Sequence, residues 1–282
     1  MPIITCPSGL VIEVRRWKLK DMEAMARDAQ SGTLDEEAIA NIVKAAWKRT
    51  VDRGPYRFIE PGEVGFDWKR LFKADIMWAL YRLRAESFPA NPERGWTGEH
   101  YTFDSECGAH PVPVKSPQVI RLCDLRTRPL PDSSRVLMLE GQPFKTKTPD
   151  GREISFRAPT LEIDAELRTH LKRMKRKADP SDYFGAQTTR IEGEGTDIAS
   201  RIRFFAEMDL VDFVPVRDAM SRAACHVISV VNAVCTECGR NREVSLPLAP
   251  GFFMPPDPMR ESPEEEPTEE PLVSEPGSDG SS

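Results

Sequence analysis

Apolar residues recur at helical spacing in the first ninety positions and again between about 160 and 224, with strand-like runs before and after the second block. Pro7-Ser8-Gly9-Leu10 reads as a turn, and Val11–Val14 as a short strand behind it. One helix starts near Lys20. A second starts at Thr33, where Thr33 and Glu36 stand at capping-box spacing, and its apolar face runs Ile39, Ile42, Val43, Ala46 and Trp47. Gly54-Pro55-Tyr56 ends that unit. A third helix is predicted over 67–87, where Leu71, Phe72, Met77, Leu80 and Tyr81 form a wide apolar stripe for packing. Pro89, Pro92, Gly95 and Gly98 then break it.

From His100 the period shortens to that of strands. Tyr101–Phe103, Val119–Leu122, Val136–Leu139 and Ile154–Phe156 read as short strands between Pro- and Gly-containing turns. Helices follow at about 160–176, 180–192, 197–209 and 212–224. Strands return at Val227–Val231 and Val244–Leu248, with Gly251-Phe252-Phe253 closing the apolar part. This order predicts an α+β fold: helical blocks around a small antiparallel β module, assembled from segments far apart in sequence. The stretches divide as an N-terminal strand and helical region (1–98), a β-rich region (99–158), a helical block (159–226), C-terminal strands (227–254) and a tail (255–282).

Charge separates the tail from the rest. The chain carries −6 overall, but nine acids and one base fall within 255–282, a net of −8 that leaves the preceding residues at +2. Seven prolines and almost no apolar residues accompany those acids, so this stretch cannot bury enough surface to offset the entropy of ordering; it is expected to be disordered. No run of eighteen apolar residues predicts a membrane span, and Met1–Cys6 lacks the charged-then-apolar form of a secretory signal. A near-neutral body also disfavours nucleic acid as a partner, although a zinc-ribbon nucleic-acid-binding protein is the alternative reading, with Arg240 and Arg242 as its close basic residues.

The six cysteines are scattered except for Cys235-Thr236-Glu237-Cys238-Gly239. Two residues between thiolates let both sulfurs point at one ion, and the glycine behind lets backbone amides turn toward them. A closed tetrahedral site needs two more donors. Cys107-Gly108-Ala109-His110 supplies them at the same spacing, with imidazole replacing the second thiolate, although 124 residues separate His110 from Cys235. Two such knuckles face to face make a zinc-ribbon-like site with Cys107, His110, Cys235 and Cys238 on a structural Zn²⁺. Cys225-His226 are alternative donors, and Cys123 is an alternative to His110. Otherwise Cys6, Cys123 and Cys225 are expected to be small buried hydrophobes. Strand-like flanks argue against a redox dithiol, which favours a helix N-terminus. Glu237, between two ligands, is expected to point to solvent.

The strongest basic run is Arg168, Lys172, Arg173, Lys175, Arg176 and Lys177. It is read as a solvated helix face whose charges complement the helix C-terminus, with the acidic tail as a possible partner in cis. Trp17, Trp47, Trp68 and Trp78 are read as core or interface anchors, and Gly193-Glu194-Gly195 as a turn. No Ser-His-Asp signature, H-E-x-x-H or Walker motif is present, so the chain is expected not to be an enzyme.

Taken in order, several short motifs resemble the baseplate hub assembly family of T-even-like contractile-tailed bacteriophages and prophages. They are Pro7-Ser8-Gly9-Leu10; Trp47-Lys48-Arg49-Thr50 followed by Gly54-Pro55-Tyr56; the helix with Trp68, Leu71, Asp75, Leu80 and Arg84; Tyr101-Thr102-Phe103 leading to Cys107; Asp124-Leu125, Pro143-Phe144 and Phe156-Arg157; and Cys235-Thr236-Glu237-Cys238 with Leu246-Pro247-Leu248 and Phe252-Phe253. The chain departs from the family pattern at Ala74-Asp75-Ile76, where Gly-Asp-Arg is common, and at His110, where a second cysteine is common. The resemblance covers most of 7–255 and leaves out the acidic tail. It implies a non-enzymatic component or assembly chaperone of the tail baseplate hub, with other tail or hub proteins as partners and neither a small-molecule substrate nor a membrane. The implied location is the host cytoplasm during assembly, with the virion tail as a second destination.

Overall fold

The computed structural model describes residues 1–31, 36–64, 67–88, 98–248 and 252–253. The Thr33 capping box, the prolines after Phe88 and the acidic tail lie outside these residues. Within them the fold is mixed α+β, with eight α-helices and small antiparallel sheets.

The first sheet joins β1 (Ile3–Thr5), β2 (Val11–Val14) and β3 (Trp47–Asp52) in that order, all antiparallel. Between β2 and β3 run α1 (Leu19–Gln30) and α2 (Glu36–Ala46). Trp47 therefore does not continue the second helix as its spacing predicts. It begins β3, and its ring meets Trp68 edge-on at 4.5 Å in the core. A helix that passes straight into a strand leaves no glycine or proline to mark the junction.

Helix α3 (Lys73–Ser87) is the centre of the molecule. Its buried residues, Asp75, Ile76, Ala79, Leu80, Tyr81, Leu83 and Arg84, include two of opposite charge, each neutralised by its surroundings in a different way. At one end, Asp75 accepts hydrogen bonds from the Ser8 amide (3.0 Å), the Ser8 hydroxyl (2.5 Å) and the Tyr56 hydroxyl (2.5 Å). The Tyr56 oxygen in turn accepts from the Phe72 amide. This ties the Pro7–Leu10 turn and the Gly54–Tyr56 turn to one carboxyl group. The turns also touch each other: Gly54 has φ +57°, and a Cβ there would lie 2.7 Å from the Leu10 nitrogen. At the other end, the Arg84 guanidinium donates to the carbonyls of Phe252, Gly98 and His100 (2.8, 3.1 and 2.8 Å) and lies against the rings of Phe88, Tyr101 and Phe252. Gly98 must be glycine, because a Cβ would sit 2.3 Å from the Ala85 carbonyl oxygen.

Burial pushes the Asp75 carboxyl up to about 6, against the lowering effect of the Ser8 and Tyr56 hydrogen bonds. A folded-state value above the unfolded one means that the native state holds the proton more tightly. This group's contribution is therefore favourable below about pH 4 and is lost as pH rises through 6. Relative to Asp75→Asn, the wild-type chain should lose up to roughly 3 kcal/mol between pH 4 and pH 7. Urea unfolding of both proteins across that range checks this, and a pH-independent difference would contradict it.

Strands β4 (His100–Cys107) and β5 (Val114–Arg121) form a regular hairpin, followed by β6 (Arg126–Arg128). Val136–Leu139, expected as a strand, lies instead in α4 (Asp132–Glu140). Four consecutive apolar residues suit either period. The helix leaves Val136 and Leu139 exposed, packs Leu137 and Met138 on the core, and ends at Gly141 with φ +74°. Next come β7 (Phe144–Lys147), β8 (Glu153–Phe156), α5 (Leu161–Met174), α6 (Pro180–Gln187) and β9 (Thr188–Ile191), with β8 at the centre of a β7-β8-β9 sheet. The helix predicted over 180–192 is thus half strand, again without a punctuating residue. Helices α7 (Ile198–Glu207) and α8 (Leu210–Ala223) lead to β10 (His226–Ile228), which pairs with β6, and then to the hairpin of β11 (Val230–Val234) and β12 (Asn241–Ser245). One buried cluster, from Ile4 to Phe253, draws side chains from all four stretches of 1–254. A smaller one joins Ile163, Leu167 and Ala186.

Candidate metal centre

The two C-x-x-C/H motifs sit at the tips of two hairpins. Pairing of β4 with β5 ends at Cys107 opposite Val114, so Cys107–His110 opens the connecting loop. Pairing of β11 with β12 ends at Val234 opposite Asn241, and Cys235–Cys238 forms the turn between them. There the Cys235 amide donates to the Arg240 carbonyl and the Gly239 amide to the Cys235 carbonyl; Gly239 has φ +66°, as the tight turn requires.

Side-chain hydrogen bonds hold the tips together. The Gln118 carboxamide pairs with Val234 as a strand would, donating to its carbonyl (2.9 Å) and accepting from its amide (3.0 Å). The buried Ser116 hydroxyl accepts from the Thr236 amide (3.0 Å) inside the second knuckle. Residues 114, 116, 118 and 120 all turn toward the interior side of β5, which places these two polar groups where they need partners. Gln118→Ala removes both bonds to Val234 and should cost about 2 kcal/mol and weaken metal binding about tenfold. Chemical denaturation and competition with a chromophoric chelator measure the two effects.

The donor atoms of Cys107, His110, Cys235 and Cys238 lie within 4.8 Å of one another, so this cluster could hold a metal ion. The Cys107 and Cys238 sulfurs are 4.0 Å apart, and the Cys235 sulfur is 3.4 Å from His110 Nε2. A tetrahedral ion with metal–sulfur bonds of ~2.3 Å and metal–nitrogen bonds of ~2.0 Å sets donors about 3.8 Å and 3.5 Å apart, respectively. The side chains therefore stand at ligand separations. With Nε2 directed at the cluster, His110 Nδ1 faces the Glu237 carboxylate at 3.7 Å. Glu237 is largely exposed, as its place between two ligands predicts, yet it also stands where a carboxylate orients a ligating imidazole.

The electrostatics ask for a cation. Amide hydrogens of Cys238 and Glu237, with His110 and the Cys238 thiol, pull the Cys235 thiol down to about 6. At Cys238 the Arg240 amide acts in the same direction, but desolvation and the sulfurs of Cys235 and Cys107 outweigh it, and the thiol ends above its ordinary value. The Cys235 and Cys107 sulfurs thus oppose the ionised form of Cys238, which a cation among them would relieve. Four protein donors would complete a tetrahedral shell, which leaves no position for water and no Lewis-acid role toward a substrate.

The alternative donors lie elsewhere. Cys123 donates to Glu99 (3.0 Å), and burial with that carboxylate pushes its thiol up to about 11. Cys225 is buried in the core, and His226 Nε2 contacts the Ser221 carbonyl at 2.9 Å. Cys6 is buried near Asp75, so the reading of small buried thiols holds for Cys6 and Cys225, while Cys123 is half-buried and hydrogen-bonded. No family model matches the chain, and neither a curated protein nor a solved structure matches it.

Proposed function

We propose that this chain is a non-enzymatic component or assembly chaperone of a contractile phage tail, acting at the baseplate hub through contacts with other tail or hub proteins. In this reading one structural zinc ion is bound by Cys107, His110, Cys235 and Cys238. Zinc fits the donor set: three thiolates and an imidazole are soft-to-borderline ligands, and tetrahedral sulfur-rich sites are its common environment. The ion would join hairpins that close 124 residues apart, so its binding energy would contribute directly to folding.

The observation that carries the hub reading is where the resembling motifs fall. Ser8, Tyr56 and Asp75 meet in one hydrogen-bonded node; Arg84, Tyr101 and Phe252 meet in another; Cys107, Cys235 and Cys238 meet in the third. Residues of the resembling motifs are thus spent on holding the chain to itself, which supports reading them as a fold signature rather than as catalytic machinery. Deleting the gene in a host that produces the particles should abolish assembled baseplates in electron micrographs while leaving heads intact. Normal tails, or a salt-dependent shift of DNA by the purified protein in place of binding to hub proteins, would overturn the reading.

A further inference from the structure

The basic run on α5 that helix-dipole complementarity accounts for in sequence takes a more specific form in three dimensions. Several surface arginines are matched to carboxylates: Arg15 to Asp21, Arg49 to Glu13, Arg121 to Glu99, and Arg152 to Asp150 and Glu194. At the corner between α5 and α6, Arg176 is matched to Asp179 and Asp182, but four cations clustered around it are not. Lys172, Arg173, Lys175 and Lys177 are exposed, and none makes an ion pair among the described residues. The corner is also fixed. Arg176 grips the fully buried Asp182 with two bonds (2.6 and 2.5 Å), Asp182 caps the Asp179 amide (2.7 Å), and Lys175 takes a left-handed φ of +51°. Lys172, Lys175 and Lys177, with Arg168 and Arg176, line a concavity of about 510 Å³ that has Leu167, Leu171 and Tyr183 in its wall; Arg173 is exposed on the same helix end beside it.

This concavity has an anionic counterpart in the same chain. Six glutamates lie within 261–270, followed by Leu272 and Val273, and the 29 residues after Phe253 carry a net charge of −8 against −6 for the whole chain. Reach is no obstacle. Twenty-nine residues extend to about 100 Å, against a radius of gyration of roughly 18 Å for a body of this size. Tethering would also hold the local concentration of the acidic segment near millimolar.

We propose that the α5–α6 corner is a docking surface for acidic peptide and that its resident occupant is residues 261–273 of this same chain, with the glutamates on Lys172, Arg173, Lys175 and Lys177 and the apolar pair against Leu171 and Tyr183. The surface is then masked in cis, and an acid-rich segment of another protein would have to displace the chain's own. This proposal does not depend on the zinc site or on the hub reading.

Carbodiimide coupling of the full-length protein, which joins neighbouring lysine and carboxylate side chains without a spacer, tests it. Mass spectrometry should find Glu264–Glu270 coupled to Lys172, Lys175 or Lys177 at least tenfold more often than to Lys20, Lys48 or Lys147. Yield should be independent of protein concentration and fall severalfold in 0.5 M salt, where the Debye length is only about 4 Å. Arg173→Glu, which keeps all three reactive lysines on an exposed helix end, should cut the yield at least fivefold. Even labelling across the lysines, no cross-link to the corner, an Arg173→Glu yield equal to wild type, or cross-links that join light to heavy chains in an isotopically mixed sample would each overturn it.

Discussion

Cys235→Ser is expected to abolish the zinc binding proposed for the Cys/His cluster and with it to lower stability by more than about 4 kcal/mol. The magnitude follows from linkage. A ligand bound only by the native state stabilises it by about 4 kcal/mol when free ligand stands a thousandfold above its dissociation constant, and structural zinc sites are held at least that tightly. Cys235 is the natural target because its sulfur is buried, stands 3.4 Å from His110, and receives the amide hydrogens that hold it as thiolate. Serine keeps the volume and loses the thiolate. The control is Cys123→Ser, which removes a thiol bonded to Glu99 outside the cluster and should leave metal content unchanged. Metal analysis with thermal unfolding reads both. A Cys235→Ser protein that keeps its metal, or a Cys123→Ser protein that loses it, would contradict the ligand assignment.

The second large effect is expected at Arg84. Arg84→Ala should cost about 3–5 kcal/mol, because it leaves the buried carbonyl bonds to Phe252 and Gly98 and the part-buried one to His100 unmade and removes a cation packed among three rings. Arg84→Lys should recover only part of that. An ammonium is a point donor and cannot span the carbonyls of Phe252, Gly98 and His100 as a planar fork does. Since Phe252 lies 168 residues from Arg84, the variant should also free the end of the folded body, so that proteolysis near Phe253 precedes global unfolding. Equal protease resistance in Arg84→Ala and wild type would show that the contact is not what fastens this end.

The candidate Cys/His cluster was legible in the sequence through the spacing of its two motifs. Two residues between donors and strand-like flanks mark Cys107, His110, Cys235 and Cys238 as candidates, beside Cys123 and Cys225-His226, and the fold brings the first four together. What fastens the knuckles was not legible. Gln118 and Ser116 are ordinary polar residues in a short strand, and their partners Val234 and Thr236 lie 116 and 120 positions away. Only their parity, on the inward side of β5, signals that they require partners. Helices were read well where an apolar stripe ended in glycine or proline. They were misread at Trp47 and at Thr188–Ile191, where a helix becomes a strand with no break in composition, and at Val136–Leu139, where a run of four apolar residues hid a helix that Pro131 introduces and Gly141 ends. Asp75 and Arg84 are a different case. They share α3 with the partly exposed Lys73, Arg82 and Glu86, so nothing local in the sequence marks them as buried, and their partners come from turns and from Phe252, far along the chain.

Zinc-edge X-ray absorption on the purified full-length protein tests the central claim most directly. The predicted result is one zinc per chain with a shell of three sulfurs at ~2.3 Å and one nitrogen at ~2.0 Å. A protein without stoichiometric zinc, or a shell that includes water oxygen in place of a sulfur or the imidazole, would contradict it.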